Sequence, residues 1–449
     1  MMRRVLMPRR LVHRGGMLAL VLLLGLLVVA CSGDSAVTTS AGDASDSTTG
    51  SESDEQINLT VWASRDFYIP PDQFASFEAE HPNISVTFDV KSDDTSLQEM
   101  QVMVDAGQPV PDIVMDDPHL LSAYQSLGLI QPIDDLHDRW EQEDPEGFAK
   151  LLPTAFEQVT VDDQVYGLSA FMTFDQIYYN IPWFEEAQVE LPFESLNDFF
   201  DAAVALKEAR PDGIPLAVQA MAGEGVTSLK SMLRTAGAPF EGATPDLTSE
   251  GGVFVIDMYM RMQQQGLIPP DAIAWGEPEA RGSFLAGTSA MLFDSLGTGK
   301  DFVEAENFEY GEDWSLTVVP RSRTGETEDG AWAAGAKQWM VTAGTEHRYE
   351  ASLLLRYLAE TDNLVESMTQ GAVPPRQTEA LDDPRVLDVM PFLSQELKDA
   401  LIAAGPLPTT AEAGEVDVIL EQMFGEIVVG TSESAEDLAA RYQALLDEL

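Results

Sequence analysis

Between Ile57 and Met115 the chain changes its hydrophobic period from strand-like to helix-like and back, and this constrains the fold more than any other feature. Ile57-Asn-Leu-Thr-Val-Trp62 alternates apolar and polar residues as a strand does. Pro70-Pro71-Asp72 predicts a helix start, with Phe74 and Phe77 on one face and Pro82 beyond the end. Ile84, Val86, Phe88 and Val90 alternate as a second strand. Leu97, Met100 and Val104 mark a second helix ending at Gly107, and Pro111-Asp112-Ile113-Val114-Met115 reads as a third, buried strand. Strands alternating with helices imply an α/β fold with a mostly parallel sheet flanked by helices. Ligands of such sheets sit at the carboxyl ends of the strands. The loops after Trp62 and after Met115 are therefore the first candidate site.

The segment ahead of this domain has a different character. Arg3, Arg4, Arg9, Arg10 and Arg14 precede the apolar run Met17–Ala30, which ends at Cys31, the only cysteine. A charged region, a short apolar region and a small residue before the cut make a signal peptide over residues 1–30. The run is short for a membrane span, which needs roughly 20 residues. Leu27-Val28-Val29-Ala30-Cys31 resembles the bacterial lipobox, which implies acylation of Cys31 (a palmitate-type lipoprotein anchor) and an extracytoplasmic location at the cell membrane. Several acyl chains, at about 0.8 kcal/mol per buried CH2, hold a protein stably in a membrane. A twin-arginine export signal at Arg9-Arg10 lacks supporting neighbours. Residues 31–56 are rich in Ser, Thr, Gly and Asp without an aromatic, so they are expected to form a flexible tether.

Residues 57–449 are long enough for two domains. The formal net charge is -51, and removal of the five leader arginines takes it to -56. No basic patch for nucleic acid exists. Such a charge gives a solvated acidic surface and attracts cationic ligands. With Cys31 committed to lipid, the body has no disulfide, cysteine ligand or cysteine nucleophile.

Several motifs, taken in order, resemble one family. Phe77–Phe88, FEAEHPNISVTF, is similar to the opening motif of the family 1 extracellular solute-binding proteins of ABC importers, the maltose-binding-protein-like sugar binders. Ala106-Gly107-Gln108 with Pro111–Val114, Leu127–Ile133, and Val165–Leu168 with Tyr178-Tyr179-Asn180 follow in that family's order. Leu191-Pro192 with Ser195, Phe284–Met291 and Gly371–Arg376 complete the series. The chain departs at Asp163-Gln164, Ser169 and Ile181, which bears on specificity more than on fold. Read physically, these motifs specify a scaffold. Gly107 and Gly287 end helices, Ser195-x-x-Asp198 is a capping-box variant, and Phe284 and Met291 are core residues.

The resemblance implies a two-lobed periplasmic-binding-protein type II-like fold with a hinge. The lobes are expected at 57–171 plus 330–372 and at 172–329 plus 373–449, with hinge points near Phe171–Asp175, Gly330 and Val373. It further implies capture of a sugar or oligosaccharide in an interlobe cleft, delivery to ABC permease transmembrane subunits, and a monomer without cofactor, metal or nucleic acid. A pyranose stacks its apolar face on aromatic rings, and its hydroxyls donate to carboxylates. Ser64-Arg65-Asp66-Phe67-Tyr68 carries these residue types after the first strand, and Asp116-Asp117 follows the third. Thr173-Phe174-Asp175 lies at the expected hinge, and Trp275, Asp294 and Trp332 are candidates from the second half. Trp62, Tyr178 and Trp339 are expected in the core.

Catalytic motifs are missing from the sequence. His13, His81, His119, His137 and His347 show no metal-binding spacing, and no GxSxG elbow occurs. The carboxylates are too numerous to single out a glycoside-hydrolase pair. A lipid-anchored glycoside hydrolase is thus one alternative. Capture of polyamines or, through Tyr178-Tyr179, of ferric iron is another.

Overall fold

The computed structural model describes residues 56–64, 71–91, 95–171, 173–335, 337–370, 377–408, 410 and 412–449. The leader, Cys31, nearly all of the tether, and the candidates Arg65, Asp66, Phe67 and Tyr68 lie outside the described residues.

The first sheet has five strands, in the order Ile84–Lys91, Ile57–Ser64, Ile113–Asp116, Gln338–Val341 and Gly167–Ser169. Its first three strands are parallel and grow from the expected strand–helix alternation, with helices Pro71–Glu80 and Ser96–Asp105 as the crossovers. Alternation along the strands divides its two faces. Leu59, Val61, Ile113, Met115 and Trp339 pack on one side, with Phe77 and Tyr357. Trp62, Val114 and Met340 pack on the other, with Met100 and Tyr124. Each fully buried apolar side chain contributes about 1.5–3 kcal/mol. Val90 and Val104 are exposed instead of inward. Val90 is next to last in an edge strand with one neighbour, and Val104 lies in the last turn of its helix.

The second sheet runs Trp314–Val318, Asp175–Asn180, Ser289–Ser295 and Ile214–Ala217. Here too the faces separate, with Ile177, Met291, Phe293 and Leu216 on one side and Tyr178, Leu292 and Ala217 on the other. Both sheets are mixed, so the expectation of mostly parallel sheets is corrected. Gln338–Val341 runs antiparallel to both of its neighbours, and Asp175–Asn180 to both of its own. The strands next to the crossings between the sheets arrive without a strand–helix–strand return, and only such a return enforces a parallel neighbour.

Local signals behave as the sequence indicates. Gly107 and Gly287 both have φ of +65°, a conformation that costs a side-chain-bearing residue energy and glycine little. Ser195 Oγ accepts the Asp198 N–H at 3.1 Å, while the Asp198 carboxylate accepts the Glu194 N–H at 3.2 Å, one residue outside a standard box. Asp162 and Asp163 both adopt positive φ in the two-residue turn joining Val161 to Gln164. Trp62, Tyr178, Trp339, Phe284 and Met291 are all buried. The Thr361–Gln370 helix buries Leu364, Val365 and Met368 in the same cluster as Trp314 and Phe392.

Candidate functional site

The first sheet ends in a buried polar row. Asp116 is the last residue of its strand, 3% exposed, in register with Gln338, which is itself in register with Ser169. Its carboxylate accepts the Tyr124 hydroxyl at 2.8 Å and the Asp117 N–H at 2.9 Å. Burial dominates these bonds and pushes the Asp116 pKa up to about 6. The Tyr124 hydroxyl is held well above its usual range, by burial first and by Asp116 second. Asp117 pairs with Lys337 at 3.3 Å. Gln338 donates to the Gln158 carbonyl, and Ser169 Oγ donates to Gln158 Oε1 at 3.2 Å. Gln338 Oε1 and Gln158 Nε2 are left buried without a partner. Ser64 closes the neighbouring strand at the same edge.

The second sheet ends differently. Asp294, 2% exposed, receives a bidentate pair from Arg281, Nε at 2.7 Å and Nη2 at 3.1 Å, and the Ser295 N–H at 2.7 Å. Arg281 also meets Glu277 at 2.9 Å. Burial opposes the guanidinium charge, but the bond to Asp294 and the nearby carboxylates outweigh it and hold its pKa above the usual range. Asp175, in register with Ser295, accepts a hydrogen bond from Ser231. Its pKa is pushed up to about 7, chiefly by burial and further by Asp294 and Glu277. Trp275 is partly buried, and its carbonyl accepts the Ala220 and Met221 N–H groups at 3.1 and 3.0 Å. Beside that loop, Gln219 Nε2 is buried without a partner.

Two crossings join the sheets. The chain leaves the first sheet at Ser169 and enters the second at Asp175, then leaves the second at Val318 and rejoins the first at Gln338. The crossings are tied by a backbone bridge, Thr173 N–H to Gly335 O at 2.9 Å and Gly335 N–H to Thr173 O at 2.8 Å. Thr173 Oγ1 is buried there without a partner. Trp332, on the second crossing, donates its indole N–H to the Val319 carbonyl at 2.8 Å. Arg321 lies over its ring at 4.1 Å, and Phe174 meets it edge-on at 6.2 Å.

The family model for bacterial extracellular solute-binding proteins matches residues 64–364. The chain belongs to that family. This solute-binding protein is 22% identical over 381 residues to a Brucella abortus (strain 2308) protein named as a binding protein, over 83% of this chain and 88% of that one. Among solved structures, the sugar-binding protein MalE of Xanthomonas citri superposes with a TM-score of 0.73 at 16% identity, over 87% of this chain and 96% of that one. An ABC transporter solute-binding protein of Thermotoga lettingae bound to α-D-tagatose gives 0.71 at 17% identity, over 88% and 99%. The maltose-bound MalE3 of T. maritima gives 0.71 at 18%, over 87% and 99%. At these identities the superpositions establish the two-lobed periplasmic-binding-protein fold.

Of the sequence candidates, Asp116, Asp117 and Ser64 share the first sheet edge, Thr173 and Trp332 the crossings, and Asp294 and Trp275 the second lobe. Sequence reasoning missed Arg281, Tyr124 and Gln338. Arg281 sits on a helix with only Glu277 as a visible i, i−4 partner, and its pairing with Asp294 becomes apparent only once the following strand folds back. Tyr178, fully buried, donates to the Ser295 carbonyl at 2.8 Å, which occupies the hydroxyl an iron site would require. Among the described residues there is no His, Cys, Asp and Glu group able to hold a metal, and no helix long and apolar enough to cross a membrane.

Proposed function

We propose that this solute-binding protein is the lipid-anchored, extracytoplasmic component of an ABC importer. It captures a sugar or oligosaccharide between its lobes and delivers it to permease subunits in the membrane. Family membership and the sugar ligands of the structural neighbours support the cargo class. The single observation that carries the reading is the pair of bridged crossings at Thr173 and Gly335. The two bridged crossings carry the chain between the sheets, so rotation about them moves one sheet edge against the other. A ligand that touches both walls only in the closed form shifts the population toward closure. The permease then reads the closed shape, and no bond need be broken.

In this reading the lobes are 57–171 with 330–372 and 172–329 with 373–449. The packing of Leu364, Val365 and Met368 against the Trp314 cluster departs from the bound at 372 and favours a last crossing ahead of that helix, between Ala359 and Leu364. Ser64, Arg65, Asp66, Phe67, Asp117, Thr173, Trp275 and Trp332 supply ligand contacts. Asp116 and Asp294 already have internal partners, so they hold Tyr124, Asp117 and Arg281 in place at the site. Cys31 carries the anchor, and the body acts as a monomer. Small-angle scattering with maltose, tagatose and larger maltodextrins tests the closure. The radius of gyration should fall with the bound sugar while no new reducing ends appear. An unchanged radius at saturation contradicts closure, and steady release of reducing ends contradicts a non-catalytic role.

A further inference from the structure

A second concave feature lies on the first lobe, built wholly from residues 137–160. Helices Asp134–Glu143, Pro145–Phe148 and Thr154–Glu157 fold over one another around a cavity of about 680 Å³. That volume lies within the 300–1,000 Å³ usual for small-molecule sites. Its wall is aromatic. Phe148 and Phe156 stack at 5.2 Å, and the His137 ring meets both edge-on, at 4.7 and 4.1 Å. Trp140 stands behind them, 5.5 Å from Phe148.

The charges around this wall are one-sided. Glu141 and Glu157 line the cavity, and among the described residues neither has an ion-pair partner. The nearby cations are engaged elsewhere. Lys150 pairs with Glu379 at 2.9 Å, and Arg139 and Arg356 both reach Glu143 at 2.6 Å. His137 cannot supply the missing positive charge. Burial lowers its pKa despite the carboxylates of Asp138, Asp134 and Glu141 around it, so the imidazole is neutral at pH 7, and its Nε2 is buried without a hydrogen-bond partner.

An aromatic wall attracts a cation through the negative faces of its rings, and uncompensated carboxylates at the rim add to that attraction. We infer that this cavity is a second binding site, outside the interlobe cleft, for a small organic ammonium ion with an apolar body. The alkylated ammonium group lies against Phe148 and Phe156, with the carboxylates of Glu141 and Glu157 beside it.

Choline and its uncharged isostere 3,3-dimethylbutan-1-ol separate this from plain hydrophobic filling, by calorimetric titration of the purified protein at fixed ionic strength. Choline should bind about tenfold tighter than the neutral alcohol. The double variant E141Q/E157Q changes two exposed side chains without described partners and should fold normally. It should lose the preference while its response to sugar stays that of the parent. Equal binding of the two probes, binding of neither, or an undiminished preference in the double variant would overturn the proposal. The sugar response is read separately, so failure here leaves the importer reading standing.

Discussion

Asp116 in the first sheet and Asp294 in the second are both strand-end aspartates, 3% and 2% exposed, yet their charges are met in different ways. Asp294 is clamped by two guanidinium nitrogens and one backbone N–H. Asp116 receives only a phenol and a backbone N–H, with Lys337 acting from a distance, and burial wins. The same residue type near the end of a strand thus becomes half of an ion pair in one lobe and a carboxyl with its pKa raised to about 6 in the other. The difference resides in the partner, and that partner comes from another element in each case.

The largest test of this contrast removes the partner of the clamped aspartate. Arg281→Ala leaves Asp294 buried and unpaired, and should destabilise the protein by about 3–5 kcal/mol at pH 7 by urea denaturation. A loss below about 1 kcal/mol would mean that the pair does not hold Asp294, and the contrast would collapse.

Asp116→Asn probes the other side, and its signature is a slope against pH. The folded pKa of about 6 lies above the ordinary aspartate value of 3.8, so the folded state keeps a proton that the unfolded chain releases. The stabilisation is full below the unfolded value and is lost as pH rises through about 6, on the order of 3 kcal/mol across that window. Asparagine cannot titrate, so the advantage of the parent over the variant should shrink by this amount between pH 3.5 and pH 7. Parallel stability curves would show that Asp116 is not the carboxyl titrating there.

Tyr124→Phe sharpens the same point. It should cost about 1–3 kcal/mol at pH 7, because a charged acceptor loses its donor, and clearly less at pH 4. A cost independent of pH would make Tyr124 a packing residue only. The smallest effect belongs to Asp117→Asn. Its partly exposed pair with Lys337 is worth about 1 kcal/mol or less and should fade in high salt. A larger, salt-insensitive loss would make this pair a structural clamp like that of Asp294.

Much of the fold was legible because its signals are local. The first three strands, their crossover helices, the cap at Ser195 and the turn at Gly287 each follow from neighbours in sequence. The direction of Gln338–Val341 was not, since it depends on a chain returning from the second sheet. The site divides along the same line. Strand-end logic located Asp116 and Asp117, whereas Tyr124 bonds across eight positions and Arg281 across thirteen, and nothing in a linear pattern pairs them. Trp332 illustrates the limit for aromatics. Its neighbours in sequence suggest a place near a crossing between the sheets, but only three-dimensional packing shows Arg321 over one face.

Thermal melting of the protein against a panel of mono- and oligosaccharides, polyamines and peptides decides whether a sugar is the cargo. A ligand at 100 times its dissociation constant should stabilise the folded state by about 2.7 kcal/mol, and at least one sugar should produce such a shift. Stabilisation by a polyamine or a peptide, with every sugar silent, would contradict sugar capture between the lobes.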